Sequence, residues 1–333
     1  MSVIAITAHY NLPFVALWEI EGTEVTRLPD LLGRDNIQAD ATLTHNGKYL
    51  YVNDPIVKVY EREANGFSLL SYTPGFPIRG GSKFSPSGKF LAGLLHYTES
   101  PWAKIYNVNE YTLTEAPALS VAPLRPPTGI AFTNDDSRLV LGFQSAEPFL
   151  SIYAGTGDAF TTVDNYSPAV TDWVLSISIN QDNTMIALGL YYGSPSLVVY
   201  ELNGGLYEKR PNLPEAPTKS ITGVAFSPDG RYLVACWEYA LPNLAIYEFD
   251  GASFIKLSGP PDLPVTNFLR VSWSISGEYL AIETTDHYII LYHVDGGVFT
   301  KLLVPAELRG SIQFSESPEV ALFWTNFKDQ REI

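Results

Sequence analysis

An all-β fold built from repeated small sheets is predicted by three features of this 333-residue chain. First, a segment ending in an aromatic residue recurs at Trp18, Tyr60, Tyr106, Tyr153, Tyr200, Tyr247 and Tyr292, at spacings of 42, 46, 47, 47, 47 and 45 residues. A proline stands five residues earlier in the first six copies, and His287 takes its place in the seventh. Second, pairs of turn-forming residues separate apolar runs at Asn46-Gly47, Ser87-Gly88, Asp135-Asp136, Asp182-Asn183, Asp229-Gly230 and Ser276-Gly277. Third, no helical 3.6-residue periodicity of useful length is present. A fixed period in this range marks a solenoid, a propeller or an array. Four short strands per unit without helices select the propeller. The expectation is a single domain over residues 1–333: a seven-bladed β-propeller with four antiparallel strands per blade.

Each unit opens with two strands, a and b, seen best in GVAFSPDGRYLVACW (223–237). The turn pairs between them are residue types that tolerate or favour positive φ. The apolar anchors before the turns are Leu43, Phe84, Phe132, Ile179, Phe226, Trp273 and Phe314. Strand c is the proline-to-aromatic segment. Its apolar residues fall on both faces, as in Leu244, Ala245, Ile246 and Tyr247, so it is expected to be sandwiched between neighbours. The proline is expected at the first residue of that strand, where its missing N–H costs least. Strand d is short with apolar ends: VTRL (25–28), FSLL (67–70), FTTV (160–163), FIKL (254–257) and FTKL (299–302). Proline-rich connectors such as VAPLRPP (121–127) and GPPDLPV (259–265) lead to the next unit.

The two ends complement each other. Residues 3–29 supply b, c and d without an a, and residues 310–315 supply a lone a. The ring is expected to close by the C-terminal strand joining the N-terminal blade, since an open ring exposes two sheet edges. Residues 319–324, EVALFW, form a surplus strand in this scheme, expected to turn away as a tail or to pack outside.

Composition narrows the function. Hydrophobic residues make up 46%, ample for a packed core. The formal net charge of −15 disfavours nucleic acid and anionic membrane surfaces as partners. The single cysteine, Cys236, leaves no intrachain disulfide. No run approaches the length of a membrane span. The N-terminus lacks the basic region and cleavage site of a signal peptide and reads as a strand.

The combination FSPDGRYLVA…PNLAIYEFDGASFIKL resembles WD40-like propeller repeats, and more closely a subgroup common in tailed-phage genomes. The best copies are residues 220–257 and 78–107. The Gly-His pair of ordinary WD40 repeats is missing. The residue after the strand-c aromatic is Glu19, Glu61, Asn107, Ala154, Glu201, Glu248 or His293 and never Asp. The Asp-His-Ser/Thr-Trp network of those repeats is therefore not expected. What the resemblance implies is a bacteriophage virion protein, of tail, host-contact or capsid-associated type, made in the host cytoplasm and residing in the virion. Its implied partners are other virion proteins or a host surface ligand, and the resemblance is compatible with a multi-copy assembly.

Catalytic signatures are sparse. The five histidines are scattered, and no zinc spacing, nucleophile elbow, P-loop or calcium loop occurs. No cofactor, metal or catalytic residue is assigned. The Asp135-Asp136 and Asp182-Asn183 pairs are ascribed to turn chemistry. The innermost segments GVAFS, GIAFT, LSISI and GSKFS read as small and apolar. Arg79, Arg270 and Arg309 lie near the starts of strands a, where they either line the channel entrance or are solvated or carboxylate-paired. Aromatic residues instead gather in the b–c loops and d–a connectors, which open on one face. The candidate binding residues are Tyr10, Tyr97, Trp102, Trp173, Tyr191, Tyr192, Trp237 and Tyr239, with Phe76 beside them. Tyr and Trp combine large apolar area with a polar tip, the chemistry of contact surfaces. The expected function is a non-enzymatic binding or structural module. The alternatives are a lactonase-like propeller hydrolase with a metal in the central channel, and a cellular WD40-like scaffold.

Overall fold

The computed structural model describes residues 2–8, 15–29, 31, 40–44, 47–54, 56–63, 66–70, 82–94, 101–145, 147–238, 241–260, 262–274, 276–285, 289–304, 311–317 and 320–322. Every regular element among them is a β-strand. The N-terminal end supplies β1 (Ser2–Ala8), β2 (Val15–Glu21) and β3 (Glu24–Arg27). The first blade follows as β4 (Asp40–Leu43), β5 (Tyr49–Asp54), β6 (Ile56–Glu63) and β7 (Gly66–Leu69). The second is β8 (Ser82–Phe84), β9 (Phe90–Leu94), β10 (Ala103–Asn109) and β11 (Thr112–Glu115). The third is β12 (Pro127–Phe132), β13 (Arg138–Phe143), β14 (Leu150–Thr156) and β15 (Ala159–Thr162). The short β16 (Tyr166–Ser167) precedes the fourth blade, which is β17 (Val174–Ile179), β18 (Met185–Leu190), β19 (Leu197–Asn203) and β20 (Leu206–Lys209). The fifth is β21 (Ile221–Phe226), β22 (Tyr232–Trp237), β23 (Leu244–Phe249) and β24 (Phe254–Leu257). The sixth is β25 (Phe268–Trp273), β26 (Tyr279–Thr284), β27 (Ile289–Asp295) and β28 (Val298–Lys301), and β29 (Ser311–Ser317) and β30 (Val320–Leu322) end the chain.

The regular blade, four antiparallel strands from one continuous stretch, therefore forms six times; in the fourth, β16 adds a parallel fifth strand outside β20. The expectation of seven equal blades is corrected by the remaining sheet, whose order is β29-β30-β1-β2-β3. There β29 meets β1 antiparallel over Ile6↔Gln313, Thr7↔Ile312 and Ala8↔Ser311, while β30 runs parallel to β1 at Ala5↔Leu322. The surplus C-terminal strand is thus part of this sheet and neither a tail nor an outer layer.

One device repeats at the a–b hairpin. The second turn residue has positive φ at Gly47, Gly88, Asp136, Asn183, Gly230 and Gly277. A buried polar residue opens each turn: Thr44, Ser85, Thr133, Asn180, Ser227 and Ser274. Its side-chain oxygen accepts the backbone N–H five residues on, from Tyr49, Phe90, Arg138, Met185, Tyr232 and Tyr279, at 2.7–3.1 Å. Buried polar groups must be hydrogen-bonded, and this bond closes the turn around one.

Strand c carries the packing. Trp18, Tyr60, Tyr106, Tyr153, Tyr200, Tyr247 and Tyr292 are all at most 2% exposed. Fully burying a large apolar side chain contributes about 2 kcal/mol, so the recurrent aromatic is a stability element in every sheet. Three of the hydroxyls also hold the connector that enters their own blade: Tyr153 donates to Val121 O at 3.0 Å, Tyr200 to Pro168 O at 2.8 Å and Tyr247 to Glu215 O at 3.4 Å. The prolines lie two residues earlier than expected. Pro101, Pro148, Pro195 and Pro242 each stand two residues before their strand, in the b–c loop, and the bonds before the last three are cis.

Neighbouring sheets are joined face to face by side chains rather than by hydrogen-bonded ladders. Hydrophobic clusters fill the spaces between the first and second blades, second and third, third and fourth, fourth and fifth, fifth and sixth, and sixth blade and end sheet. The molecule is an all-β propeller arrangement of antiparallel sheets.

Candidate functional site

Strands fixed in this way place two loop sets, b–c and d–a, on one face. In the fourth blade they converge. Trp173 ends the connector into β17, and Tyr191 and Tyr192 follow β18. Trp173 and Tyr191 stack with centroids 4.9 Å apart and planes 10° apart, and Tyr192 meets Tyr191 edge-on at 4.1 Å and 65°. Such aromatic pairs add attraction beyond their buried area. The Asp172 carboxylate pins the group from both sides, accepting Trp173 N–H at 2.7 Å and Tyr192 N–H at 2.6 Å. The main chains close the unit, with Tyr191 N–H donating to Trp173 O at 3.1 Å and Ser220 Oγ donating to Tyr191 O. Gly193 is required by close approach: a Cβ there would stand 2.7 Å from Pro195 O. The cluster is rigid at its base and open at its tip, since Tyr192 is 75% exposed.

The same face exposes Val121, Leu124 and Val265 on d–a connectors and Leu241 in a b–c loop. The other expected residues divide. Trp102 is half-buried just before β10. Trp237 is buried in the cluster between the fourth and fifth blades and serves packing, which corrects its assignment to a contact surface. Tyr10, Tyr97, Tyr239 and Phe76 lie outside the described residues.

At the inner strands, Arg270 has a carboxylate partner. Its Nη1 lies 3.2 Å from Oε2 of Glu283, which is fully buried. Beside this pair, Cys236 is sealed from solvent, and burial pushes its thiol up to about 12. Thr222 Oγ1 donates to Phe268 O at 3.0 Å and stands 3.8 Å from Cys236 Sγ, tying the fifth blade to the sixth. Arg79 and Arg309 lie outside the described residues. Lys83 overturns the reading of GSKFS as small and apolar. Its side chain on β8 is exposed to solvent. A charge at a position where other blades carry Ala131, Ser178, Ala225 and Ser272 was the available signal.

Among the described residues no group of three His, Cys, Asp or Glu side chains is placed to hold a metal. An open cleft of about 630 Å³ lies between Glu201, Asn203, Glu208, Arg210 and Gly251. It sits by the c–d turns of the fourth and fifth blades, on the face opposite the aromatic cluster.

The fold and the loop cluster define a β-propeller with an aromatic loop face. Residues 211–238 match the WD40 family, described as WD domain, G-beta repeat, a match confined to part of one repeat. No curated protein sequence matches. Among solved structures, the chain is similar to a protein of Bacteroides uniformis ATCC 8492 named as a putative 6-phosphogluconolactonase, at 15% identity and TM-score 0.66, covering 94% of this chain and 99% of that one. A Bacteroides fragilis NCTC 9343 protein of the same name matches at 14% identity and TM-score 0.64, covering 96% and 98%. A protein from Lactobacillus plantarum matches at 13% identity and TM-score 0.68, covering 91% and 96%. At these identities the likeness is one of fold. None of these matches names a phage protein, so the phage setting rests on the repeat resemblance alone.

Proposed function

We propose that this chain is a non-enzymatic binding module that engages its partner through the b–c and d–a loop face. The observation that carries the reading is the Trp173–Tyr191–Tyr192 cluster, held in place by Asp172 before any partner arrives. Preorganised aromatic anchors spare the ordering cost of binding. The exposed Val121, Leu124, Leu241 and Val265 extend the contact area over neighbouring blades. In the same reading the end sheet is the seventh blade of a closed wheel, supported by the β1–β29 pairing and by the approach of β1 to β4. In the virion setting that the repeat resemblance implies, the partner is another virion protein or a host surface ligand.

A photo-crosslinking amino acid at position 192 tests the face, with position 255 on the outer strand β24 as the control. A discrete adduct from 192 alone, lost when Trp173→Ala is added, is expected. Identical adduct patterns from 192 and 255 would sink the reading. Recovery of the protein from purified phage particles tests the virion setting.

A second reading, a lactonase-like hydrolase, is favoured by the names of two of the structural neighbours. Hydrolysis of 6-phosphogluconolactone above the spontaneous rate, retained in Tyr192→Ala, would select it over the loop-face module.

A further inference from the structure

The aromatic cluster of the fourth blade has a definite shape. Trp173 lies against Tyr191 as a near-parallel stack, and Tyr192 meets Tyr191 edge-on. Trp173 and Tyr191 are half-buried, so Tyr192, 75% exposed, is the ring that stays open to solvent. Its face is a flat apolar surface with negative charge density, and it is the size of one six-membered sugar ring. The C–H groups on the flat side of a pyranose are its complement in shape and polarity.

The surroundings are polar without being strongly charged. Three stretches, 171–173, 191–196 and 217–220, build the cluster, joined by the bond from Tyr192 N–H to Asp172 and the bond from Ser220 Oγ to Tyr191 O. Within them Thr171, Ser194 and Thr218 are exposed, and Lys219 is the one exposed charge. Each of those hydroxyls both donates and accepts, as every sugar hydroxyl does. Asp172 adds an acceptor at the foot of the platform. Its Oδ1 takes Trp173 N–H and its Oδ2 takes Tyr192 N–H. A carboxylate has about four lone-pair positions, so both oxygens keep capacity for the O–H of a ligand, in a charge-assisted bond. The apolar Val121, Leu124, Leu241 and Val265 stand on other blades. Serine and threonine are under-represented at protein hot spots, so a hydroxyl rim around an aromatic platform favours a sugar over a protein.

We propose that the Trp173–Tyr191–Tyr192 cluster is a carbohydrate-binding site that takes one neutral pyranose unit of a glycan. The sugar's C–H face rests on Tyr192, and its hydroxyls meet Asp172 and the neighbouring threonine and serine side chains. This rests on the reading of the loop face as the contact surface and names the ligand of that face. A monosaccharide has about a dozen heavy atoms, and at ordinary efficiency per atom it binds in the millimolar range.

The test titrates the intact protein with the methyl glycosides of glucose, galactose, mannose and N-acetylglucosamine, followed by saturation-transfer NMR. At least one glycoside should receive saturation at its ring C–H protons. Its affinity should not change between about 50 and 500 mM sodium chloride, because screening does not act on a neutral ligand. Tyr192→Ala should weaken that binding by about tenfold or more. Tyr192 is too exposed for its loss to unfold the protein, and an unchanged melting temperature checks this. Ile255→Ala, on the outer strand β24, should bind as the wild type does. Absence of transfer to every glycoside at about 50 mM, well above the expected range, or equal transfer in wild type and Tyr192→Ala, would overturn the proposal. Crosslinking from position 192 separates the two failures. A discrete protein adduct without sugar binding overturns the carbohydrate class and keeps the loop face, whereas failure of both removes the face as well.

Discussion

Asp136 Oδ2 accepts a hydrogen bond from Ser85 Oγ at 2.9 Å across the boundary between the second and third blades. The same carboxylate receives Ser87 N–H at 3.3 Å and Ser87 Oγ–H. One blade further on, Asn183 repeats the arrangement, its Oδ1 accepting Asn134 N–H at 2.6 Å. In the other four hairpins the equivalent position is a glycine with positive φ. Asp136 and Asn183 therefore accept a left-handed backbone, at φ 57° and 62°, and use the side chain to fasten their turn to the preceding one.

Two substitutions separate the roles of Asp136. Asp136→Gly relieves the backbone and removes the inter-blade bonds, a net loss of about 1 kcal/mol. Asp136→Ala removes the same bonds and keeps the strained φ, so it should be about 1 kcal/mol worse than the glycine variant. Urea unfolding of both variants checks the order; alanine equal to or better than glycine would contradict it.

The turn anchor should be costly to lose. Ser227 is buried and accepts Tyr232 N–H at 2.8 Å. Ser227→Ala leaves that buried donor unsatisfied and should destabilise by about 1–3 kcal/mol. Ser227→Thr should be tolerated, since Thr44 and Thr133 serve the same role in their blades. Denaturant midpoints for the pair decide the matter.

Alkaline pH should unfold the propeller through its strand-c tyrosines. Burial raises Tyr153, Tyr200 and Tyr292 to about 12. In the unfolded chain they ionise near 10. The unfolded state therefore holds fewer protons between about pH 10 and 12, and stability, intact below that window, falls as pH rises through it. Absorbance at 295 nm should show exposed tyrosines titrating reversibly, followed by a cooperative step coincident with loss of the β-sheet circular dichroism signal. A single smooth titration centred near 10 with the fold intact would refute this.

Asp172 should govern the aromatic cluster more than the stability of the fold. Asp172→Ala removes the acceptor for Trp173 and Tyr192 N–H at a surface site, so global stability should fall by about 1 kcal/mol or less. The near-ultraviolet circular dichroism of the stacked Trp173–Tyr191 pair should weaken substantially. An unchanged spectrum would show that the stack holds itself.

Much of the architecture was legible because it depends on short-range chemistry. Turn residues that must take positive φ, and an aromatic every 42–47 residues, read out hairpins and buried strands directly. The candidate face was partly legible. Trp173, Tyr191 and Tyr192 do converge, but Trp237, of the same residue type, ends β22 and is buried. Exposure depends on which neighbouring blade covers a side chain, and residue type carries no record of that. Lys83 was hidden by its motif: Phe84 and Ser85 fit the repeat so well that the charge between Ser82 and Phe84 passed as a variation.

The period, the strand types and the turn chemistry of this protein follow from the chain alone, because each is set by contacts within about ten residues. What needed tertiary structure was every relation between distant parts of the chain: the bond from Ser85 to Asp136, the bond from Thr222 to Phe268 O between the fifth and sixth blades, and the joint sheet made by both chain ends. Those relations join residues far apart in sequence, and only the stacking angle between neighbouring sheets decides which of them meet.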